Sequence, residues 1–215
     1  MSKPYTEQIL SDQFDADLVW RRKELSDIKS AVRLADAPAK HALLRALITM
    51  CYAHWEGFVR TCANKYFEYL ALRRLPYAAF ERQIYVNSFL IRLDALRKSR
   101  SGIEQRCKLV NDILDGATGR FGFLNPTLID TKSNLSTDTI KDICLICAVD
   151  SAYFESKRPF IDVIVLKRRN AIAHGQQEFI QESDIDPLVG ETLALMMHFR
   201  TLLENKIYTR AYRAA

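Results

Sequence analysis

The chain has few of the residues that interrupt regular structure. Its 215 residues include only seven glycines and six prolines, which favours long uninterrupted elements over many short strands and turns. The fractions of hydrophobic residues (48%) and charged residues (27%) are ordinary for a globular protein. A chain of this length can bury one sizeable core. We therefore expect one domain over residues 1–215.

Long apolar runs are absent as well. No stretch approaches the ~20 apolar residues that a membrane-spanning helix needs. Residues 1–5 are followed by charged residues rather than by the apolar core of a secretory signal. We therefore expect a cytoplasmic protein with no membrane contact.

The cysteines do not form the pattern of a zinc site or of a disulfide framework. Cys144 and Cys147 make a CxxC pair, but no second pair or nearby histidine completes a tetrahedral site, and both lie in an apolar run. An odd count of five without a secretory signal favours reduced thiols. We expect this pair to be buried, and we expect neither a metal nor another cofactor.

Apolar residues recur at helical spacing along nearly the whole chain. This pattern predicts an all-α bundle of about six to seven helices. The expected helices cover 5–34, 40–72, 76–96, 103–114, 136–148, 159–175 and a last segment from about 183 onward. Pro76 and Pro159 are each expected to open a helix, and Ser136 is expected to cap one. A polar joint at 98–102 and a long loop at about 116–136 complete the prediction.

The most informative segment is 166–175, which combines Arg169, Asn170 and His174 at the end of an apolar stretch. The unperturbed histidine pKa of ~6.5 suits proton transfer near neutral pH. The planar guanidinium of Arg169 can bind two phosphate oxygens at once. Asn170 lies four residues before His174, so the two share a helix face. These groups suffice for metal-free cleavage of RNA, in which the ribose 2′-hydroxyl is the nucleophile.

The spacing within this segment also raises a geometric problem. Gly175 is placed as the residue just beyond a helix end, where the helix dipole favours a protonated His174 and hence a general acid. On an ideal helix, five residues separate Arg169 from His174 by ~140°. Either the arginine curls round the helix, or a second copy of the chain completes the site. We favour a homodimer, which supplies one histidine as acid and one as base.

The same residues also fit a structural role. With arginine this frequent, about one arginine four to six residues before some histidine is expected by chance. A basic helix end followed by histidine and glycine is also a common stabilising device. The net charge of +5 is compatible with RNA as a partner but does not require it. The alternative is a non-catalytic all-α module that dimerises and binds RNA or a protein, such as an antitoxin or an accessory subunit.

Three segments together resemble a known superfamily. Residues 169–175 (RNAIAHG) resemble the arginine–asparagine–x–x–x–histidine signature of the HEPN superfamily, whose members are small all-α domains. Residues 52–58 (YAHWEGF) and 131–135 (TKSNL) resemble one bacterial branch of it, large HEPN proteins found near toxin–antitoxin and defence genes. The three segments stand in the order that this branch shows.

The resemblance implies a dimeric, metal-independent endoribonuclease that acts as a toxin or antiphage-defence effector and is held in check by a cognate partner protein. It implies Arg169 and His174 as the catalytic pair, with Asn170 as the polar residue after the arginine. Arg168 also precedes His174 at a permitted distance, but the asparagine that follows favours Arg169. Some toxins of the family carry a modifiable tyrosine two residues after the histidine. This chain has Gln176 there, which argues against that mode of neutralisation.

Two residues of the second helix are further candidates. Glu56 can assist His174 or bind a ribose hydroxyl, because an unpaired carboxylate is costly to bury. It can equally pair with an arginine from another helix. His54 is a weaker candidate for the same supporting role, and its structural alternative is a helix-packing position.

Four residues are candidate RNA contacts. Lys132 and Asn134 lie at the polar end of the long loop, where they can touch phosphate or cap the loop. Arg210 and Arg213 lie in a tail that alternates tyrosines with positive charge. Such a tail can stack on RNA and steer it, although terminal basic residues are usually only solvated.

Overall fold

The computed structural model describes residues 3–98, 102–122 and 125–214. Over these ranges it contains eight α-helices and no β-strand. The all-α bundle is thus confirmed, with slightly more helices than predicted. Most of the predicted polar joint at 98–102 lies outside the described residues. In the part that is described, no helix is long and apolar enough to cross a membrane.

The helices follow one another with few long connections. They are α1 (Glu7–Leu34), α2 (Ala37–Leu72), α3 (Arg82–Lys98), α4 (Ile103–Asp115), α5 (Thr137–Cys147), α6 (Ala152–Ser156), α7 (Arg168–Ala173) and α8 (Ile185–Tyr208). A π-helix, Pro159–Lys167, connects α6 to α7. The predicted loop at 116–136 contains two single 3₁₀ turns, Gly116–Thr118 and Pro126–Leu128.

The central element is α2, and α1 and α8 pack along it. It begins at Asp36, whose side chain accepts a hydrogen bond from the Ala39 backbone N–H at 3.2 Å. A helix with a wide apolar face must be covered over most of its circumference. The buried side chains of α2 accordingly occupy a wide face and include Leu47, Tyr52, Trp55, Phe58, Tyr66 and Tyr69. A narrow stripe of exposed residues remains on the other side, at Ala42, Thr49, Ala53 and Arg60.

The start of α5 is tied to the π-helix. As predicted, Ser136 caps α5, and its hydroxyl accepts a hydrogen bond from the Thr139 backbone N–H at 3.2 Å. Asp162 of the π-helix accepts a second bond from the Thr137 N–H at 2.7 Å. The prediction that Cys144 and Cys147 are buried is also confirmed, and burial raises the pKa of Cys144 to about 12.

The helix start that was predicted at Pro76 is wrong, whereas the one predicted at Pro159 is confirmed. Pro76 is extended and pairs with Arg120 in an isolated bridge, so α3 begins only at Arg82.

Pro159 is the first residue of the π-helix, after α6 has ended at Ser156 and Lys157 has left the helical pattern. Proline is tolerated at this first position because its missing N–H would have no partner there. The helical stretch that it opens continues through α7 to Ala173.

Replacing Ala148 with glycine should stabilise the fold. Ala148 ends α5 in the left-handed conformation, with φ 56° and ψ 44°, which costs a residue with a Cβ about 1–2 kcal/mol. Glycine avoids this cost but loses about 0.5–1 kcal/mol of backbone entropy on folding. We expect Ala148→Gly to raise the free energy of unfolding by about 0.5–1 kcal/mol in urea titrations.

The matched control is Ala95→Gly, at an exposed position inside α3. It should lower the free energy of unfolding by about 1 kcal/mol, because glycine is a poor helix former. A loss of stability in both variants would contradict the proposed strain at Ala148.

Candidate active site

The three segments singled out in the sequence meet in space. Nη2 of Arg169 in α7 donates a hydrogen bond to the Ser133 carbonyl at 2.6 Å. The guanidinium carbon of the same arginine lies 3.7 Å from the centroid of the Tyr52 ring in α2. Nδ2 of Asn170 donates to Oδ1 of Asn134 at 3.1 Å. We call this group of side chains and loop backbone the arginine cluster.

The two neighbouring arginines point to different parts of the molecule. Arg169 faces α2 and the loop 131–135, whereas Nη1 of Arg168 lies 3.8 Å from the Asp184 carboxylate at the start of α8. The π-helix ends immediately before both residues. Because π-helices differ from α-helices in residues per turn, this segment sets the rotation of α7. It is Arg169, the residue favoured by the sequence, that meets the other two segments.

The loop 131–135 presents its carbonyl groups through a tight turn. Lys132 and Ser133 both have left-handed backbone conformations, with φ 54° and 52°. The Lys132 N–H donates to Asp130 Oδ1 at 2.7 Å, which supports the turn. The Leu135 N–H donates to the Tyr52 hydroxyl at 2.8 Å. Lys132, Ser133 and Asn134 are exposed, whereas Leu135 is buried.

Tyr52 joins the loop to Arg169 as a neutral phenol. Burial is the main cause that raises its pKa to about 12, and the negative charge of Glu56 acts in the same direction. The hydrogen bond from Leu135 and the positive charge of Arg169 act against this rise. The ring thus offers Arg169 an aromatic face without a negative charge.

Glu56 supports the loop, and within the described residues it does not form the ion pair with an arginine that its structural alternative predicted. One turn after Tyr52 on α2, it accepts a short hydrogen bond from the Thr131 hydroxyl. Its side chain is partly buried. Tyr52 and Glu56 together therefore hold both ends of the turn that presents Ser133.

His54 does not join the arginine cluster. It is two residues from Tyr52, about 200° round the helix, and it packs against α1. There its Nε2 lies 2.9 Å from a carboxylate oxygen of Glu24. Its ring contacts Trp20 edge-on, with 5.2 Å between centroids, and Arg21 donates to its backbone carbonyl at 3.3 Å. The structure assigns it the helix-packing position.

His174 ends α7 and is exposed to solvent. The predicted helix end at Gly175 is confirmed: Gly175 has φ +74°, and the N–H groups of Gly175 and Gln176 bond to Ile172 and Ala171. These two bonds form a Schellman motif. Among the described residues, no hydrogen bond, ion pair or ring contact involves the His174 side chain. Arg169 does not curl towards it but faces the arginine cluster.

The positive charge of Arg169 has no carboxylate partner within the described ranges. The side chain is partly buried, and its Nε is fully buried without a hydrogen-bond acceptor. A buried charge without a counter-charge is unfavourable. An anion that reaches this guanidinium would therefore be stabilised, and phosphate has the geometry that a guanidinium binds best.

The four candidate RNA contacts fall into two groups. Lys132 and Asn134 belong to the loop of the arginine cluster, and Asn134 bonds directly to Asn170. Arg210 and Arg213 flank Tyr212, which is buried in the core and contacts Tyr69 near the end of α2. Seventeen residues of helix separate Tyr69 from Tyr52, or about 25 Å. The C-terminal arginines therefore lie far from the cluster.

Sequence reasoning did not single out two side chains that complete the cluster. Tyr52 and Thr131 lie in segments that were recognised, but neither was named as a site residue, and the contact of the Ser133 backbone carbonyl with Arg169 was not predicted. The spacing of Tyr52 and Glu56 by four residues was the available signal, because it places both on one face of α2. Within the described ranges, no three His, Cys, Asp or Glu side chains are grouped as metal ligands would be.

A family comparison covers all three segments. Residues 16–205 match the model of the RiboL-PSP-HEPN family. The chain belongs to this family. The resemblance to the HEPN superfamily is thereby confirmed, and that superfamily includes ribonucleases. No curated protein and no solved structure matches the chain.

The packing of His54 predicts a pH-dependent stability. Burial and the positive charge of Arg21 lower the pKa of His54 in the folded state, although Glu24 acts against this. A lowered histidine pKa means that folding favours the neutral ring. The stability from His54 is therefore complete above the unfolded pKa of ~6.5 and is lost as the pH falls below it. We expect His54→Gln to lose less stability than wild type between pH 7.5 and pH 5.

Urea unfolding at the two pH values measures this difference. Equal losses of stability in the variant and the wild type would show that His54 is not the group that titrates.

Proposed function

We propose that this protein is a metal-independent endoribonuclease that works as a homodimer. Its substrate is single-stranded or loop RNA, and its products carry a 2′,3′-cyclic phosphate and a 5′-hydroxyl. Membership of the RiboL-PSP-HEPN family supports the class of enzyme. The site residues are Arg169, Asn170 and His174.

The observation that carries the proposal is that Arg169 is held in place by neutral groups. Its guanidinium is fixed by the Tyr52 ring and the Ser133 carbonyl, while its charge is unpaired within the described chain. Neutral partners fix the position of a cation without neutralising it. Such a group is suited to an anionic ligand or an anionic transition state. His174, a residue that can transfer protons, ends the same short helix.

The chemistry requires three events at one phosphodiester. A base removes the proton from the ribose 2′-hydroxyl, whose oxygen attacks the neighbouring phosphorus. The bond from phosphorus to the 5′-oxygen breaks, and an acid protonates that oxygen. Arg169 stabilises the negative charge on the phosphorane oxygens between these steps. His174 suits either proton transfer, and DNA is inert because it lacks the 2′-hydroxyl.

A homodimer supplies the second proton-transfer group. The described part of one chain offers one exposed histidine at this helix end, and the chemistry needs both a base and an acid. A second copy related by a two-fold axis adds a second His174. We therefore place the two α7 helix ends close together in the active form. This arrangement also removes the need for Arg169 and His174 of one chain to share a helix face.

The proposed biological role is that of a toxin or antiphage-defence effector. The support for this role is the resemblance of segments 52–58 and 131–135 to HEPN proteins found near such genes. An enzyme that cuts cellular RNA needs restraint, so we propose a cognate partner protein. Gln176, two residues after His174, cannot be modified as a tyrosine would be.

A non-catalytic RNA-binding module is the second candidate, and one observation favours it. Arg169 is already bonded to the Ser133 carbonyl, and its side chain does not touch His174. A module of this kind would bind RNA without cutting it, as an antitoxin or accessory subunit. Expression separates the two candidates, because a free toxin slows growth and an antitoxin does not.

Cleavage of a mixed RNA pool in EDTA tests the proposal. We expect wild type to cut RNA but not DNA of the same sequences, and we expect His174→Ala to cut at least about 100-fold more slowly, because proton transfer is lost. The cleavage rate of Arg169→Ala should fall at least as far, because the phosphorane loses the cation that stabilises its negative charge. The matched control is Arg106→Ala, which truncates an exposed arginine of α4 and should cut like wild type.

Three results would contradict the metal-independent ribonuclease. The first is cutting of DNA at the rate of RNA, and the second is cutting of RNA only after a divalent metal is added. The third is equal residual cutting by wild type and His174→Ala, which would indicate a contaminating enzyme. Absence of cutting by wild type would favour the RNA-binding module.

A further inference from the structure

An exposed aromatic ring lies shortly after His174 in the chain. Phe179 is 73% exposed, in the segment without regular structure between the end of α7 and the start of α8. The next residue, Ile180, is buried at 8% exposure. The chain thus anchors one apolar side chain in the core and directs the neighbouring one to solvent.

The segment that carries Phe179 is fixed to the first turns of α2. Nη2 of Arg45 donates to the Gln176 carbonyl at 3.0 Å. Nζ of Lys40 lies 3.0 Å from a carboxylate oxygen of Glu182. Between these two bonds, the Phe179 ring meets the His41 ring edge-on, with 6.0 Å between centroids. The His41 ring thus contacts the Phe179 ring on one side, and most of the Phe179 side chain remains exposed.

The surroundings of this ring fit a nucleobase better than an apolar protein surface. Protein-docking patches join several apolar residues over hundreds of Å². Phe179 instead follows three polar residues, Gln176, Gln177 and Glu178. Arg45, which bonds to the same segment at Gln176, has no carboxylate partner within the described ranges. An exposed aromatic ring on a segment that also binds a cation is suited to stacking by a base of single-stranded nucleic acid.

The distance to the proposed active site is short. Five residues separate His174 from Phe179, so their Cα atoms are at most about 18 Å apart. Because the chain folds back at Gly175, the true separation is smaller. A strand whose cleaved phosphate lies near His174 would therefore place a base within a few nucleotides of the cut near Phe179.

We propose that Phe179 is a stacking platform for one base of single-stranded RNA, next to the site of cleavage. The inference rests on the proposed function for the identity of its substrate. Stacking on Phe179 adds affinity and fixes the register of the strand, so the residue acts on binding and on the choice of cut site. It takes no part in proton transfer.

Binding of a fluorescein-labelled 12-nucleotide single-stranded RNA tests the inference in a His174→Ala background, which separates binding from cutting. We expect Phe179→Ala to raise the Kd at least about 5-fold, the smallest effect typical of one stacked base. Phe179→Leu should raise it as much, because leucine is apolar but has no aromatic face. Phe179→Tyr should restore the Kd to within about 2-fold of the background protein. The control is Tyr5→Ala, a 55% exposed tyrosine next to Arg73 at the far end of α2.

The outcomes separate this inference from the nuclease itself. An unchanged Kd in Phe179→Ala, or full affinity in Phe179→Leu, would overturn the stacking platform even if wild type cuts RNA. If the Phe179 variants show the expected Kd values but wild type does not cut RNA in EDTA, the platform would be supported and the nuclease overturned. Absence of RNA binding by the background protein would overturn both. Binding of an unrelated protein through Phe179, with no effect on RNA, would also overturn the platform.

Discussion

The site depends on one interaction, the packing of the Arg169 guanidinium between the Tyr52 ring and the Ser133 carbonyl. A cation over an aromatic ring contributes about 0.5–2 kcal/mol, more as water is excluded. Here the contact joins three parts of the chain that are far apart in sequence. Each part is separately fixed: Tyr52 by burial within α2, Ser133 by the turn that Glu56 and Thr131 support, and Arg169 by the π-helix that precedes it. The cation is thus positioned before any ligand arrives, which is the condition for electrostatic stabilisation of a transition state.

The same arrangement explains why the two catalytic candidates have different surroundings. Arg169 is partly buried among neutral groups, whereas His174 is exposed at the helix end. The first group needs a fixed position and an unpaired charge. The second needs access to water and to a proton donor or acceptor. Gly175 allows the chain to turn immediately after the histidine, and the segment that follows returns to α2 through Arg45. The site therefore occupies the region where the end of α7 meets α2 and the loop 131–135.

Much of the fold follows from the sequence, because its long helices carry continuous apolar periodicity. Ser136 and Gly175 predicted their helix ends correctly, since capping depends on local chemistry. Pro76 misled, because a proline fits an extended segment as well as a helix start, and tertiary packing decides between them. Pro159 does open a helical stretch, but the sequence did not reveal that the stretch begins as a π-helix. The motif identified Arg169, Asn170 and His174, but their neighbours were not predictable. Which loop carbonyl meets Arg169 depends on the rotation of α7, which no local pattern encodes.

A double-mutant cycle on Tyr52 and Arg169 tests most directly whether the aromatic ring acts through the cation. RNA cleavage would be compared in wild type, Tyr52→Leu, Arg169→Ala and the double variant, with circular dichroism to verify folding. If Tyr52 serves to position Arg169, each single variant loses activity and the double variant is no slower than Arg169→Ala alone. Losses that multiply in the double variant would show that the two residues act independently. That result would contradict the account of the site given by the structure.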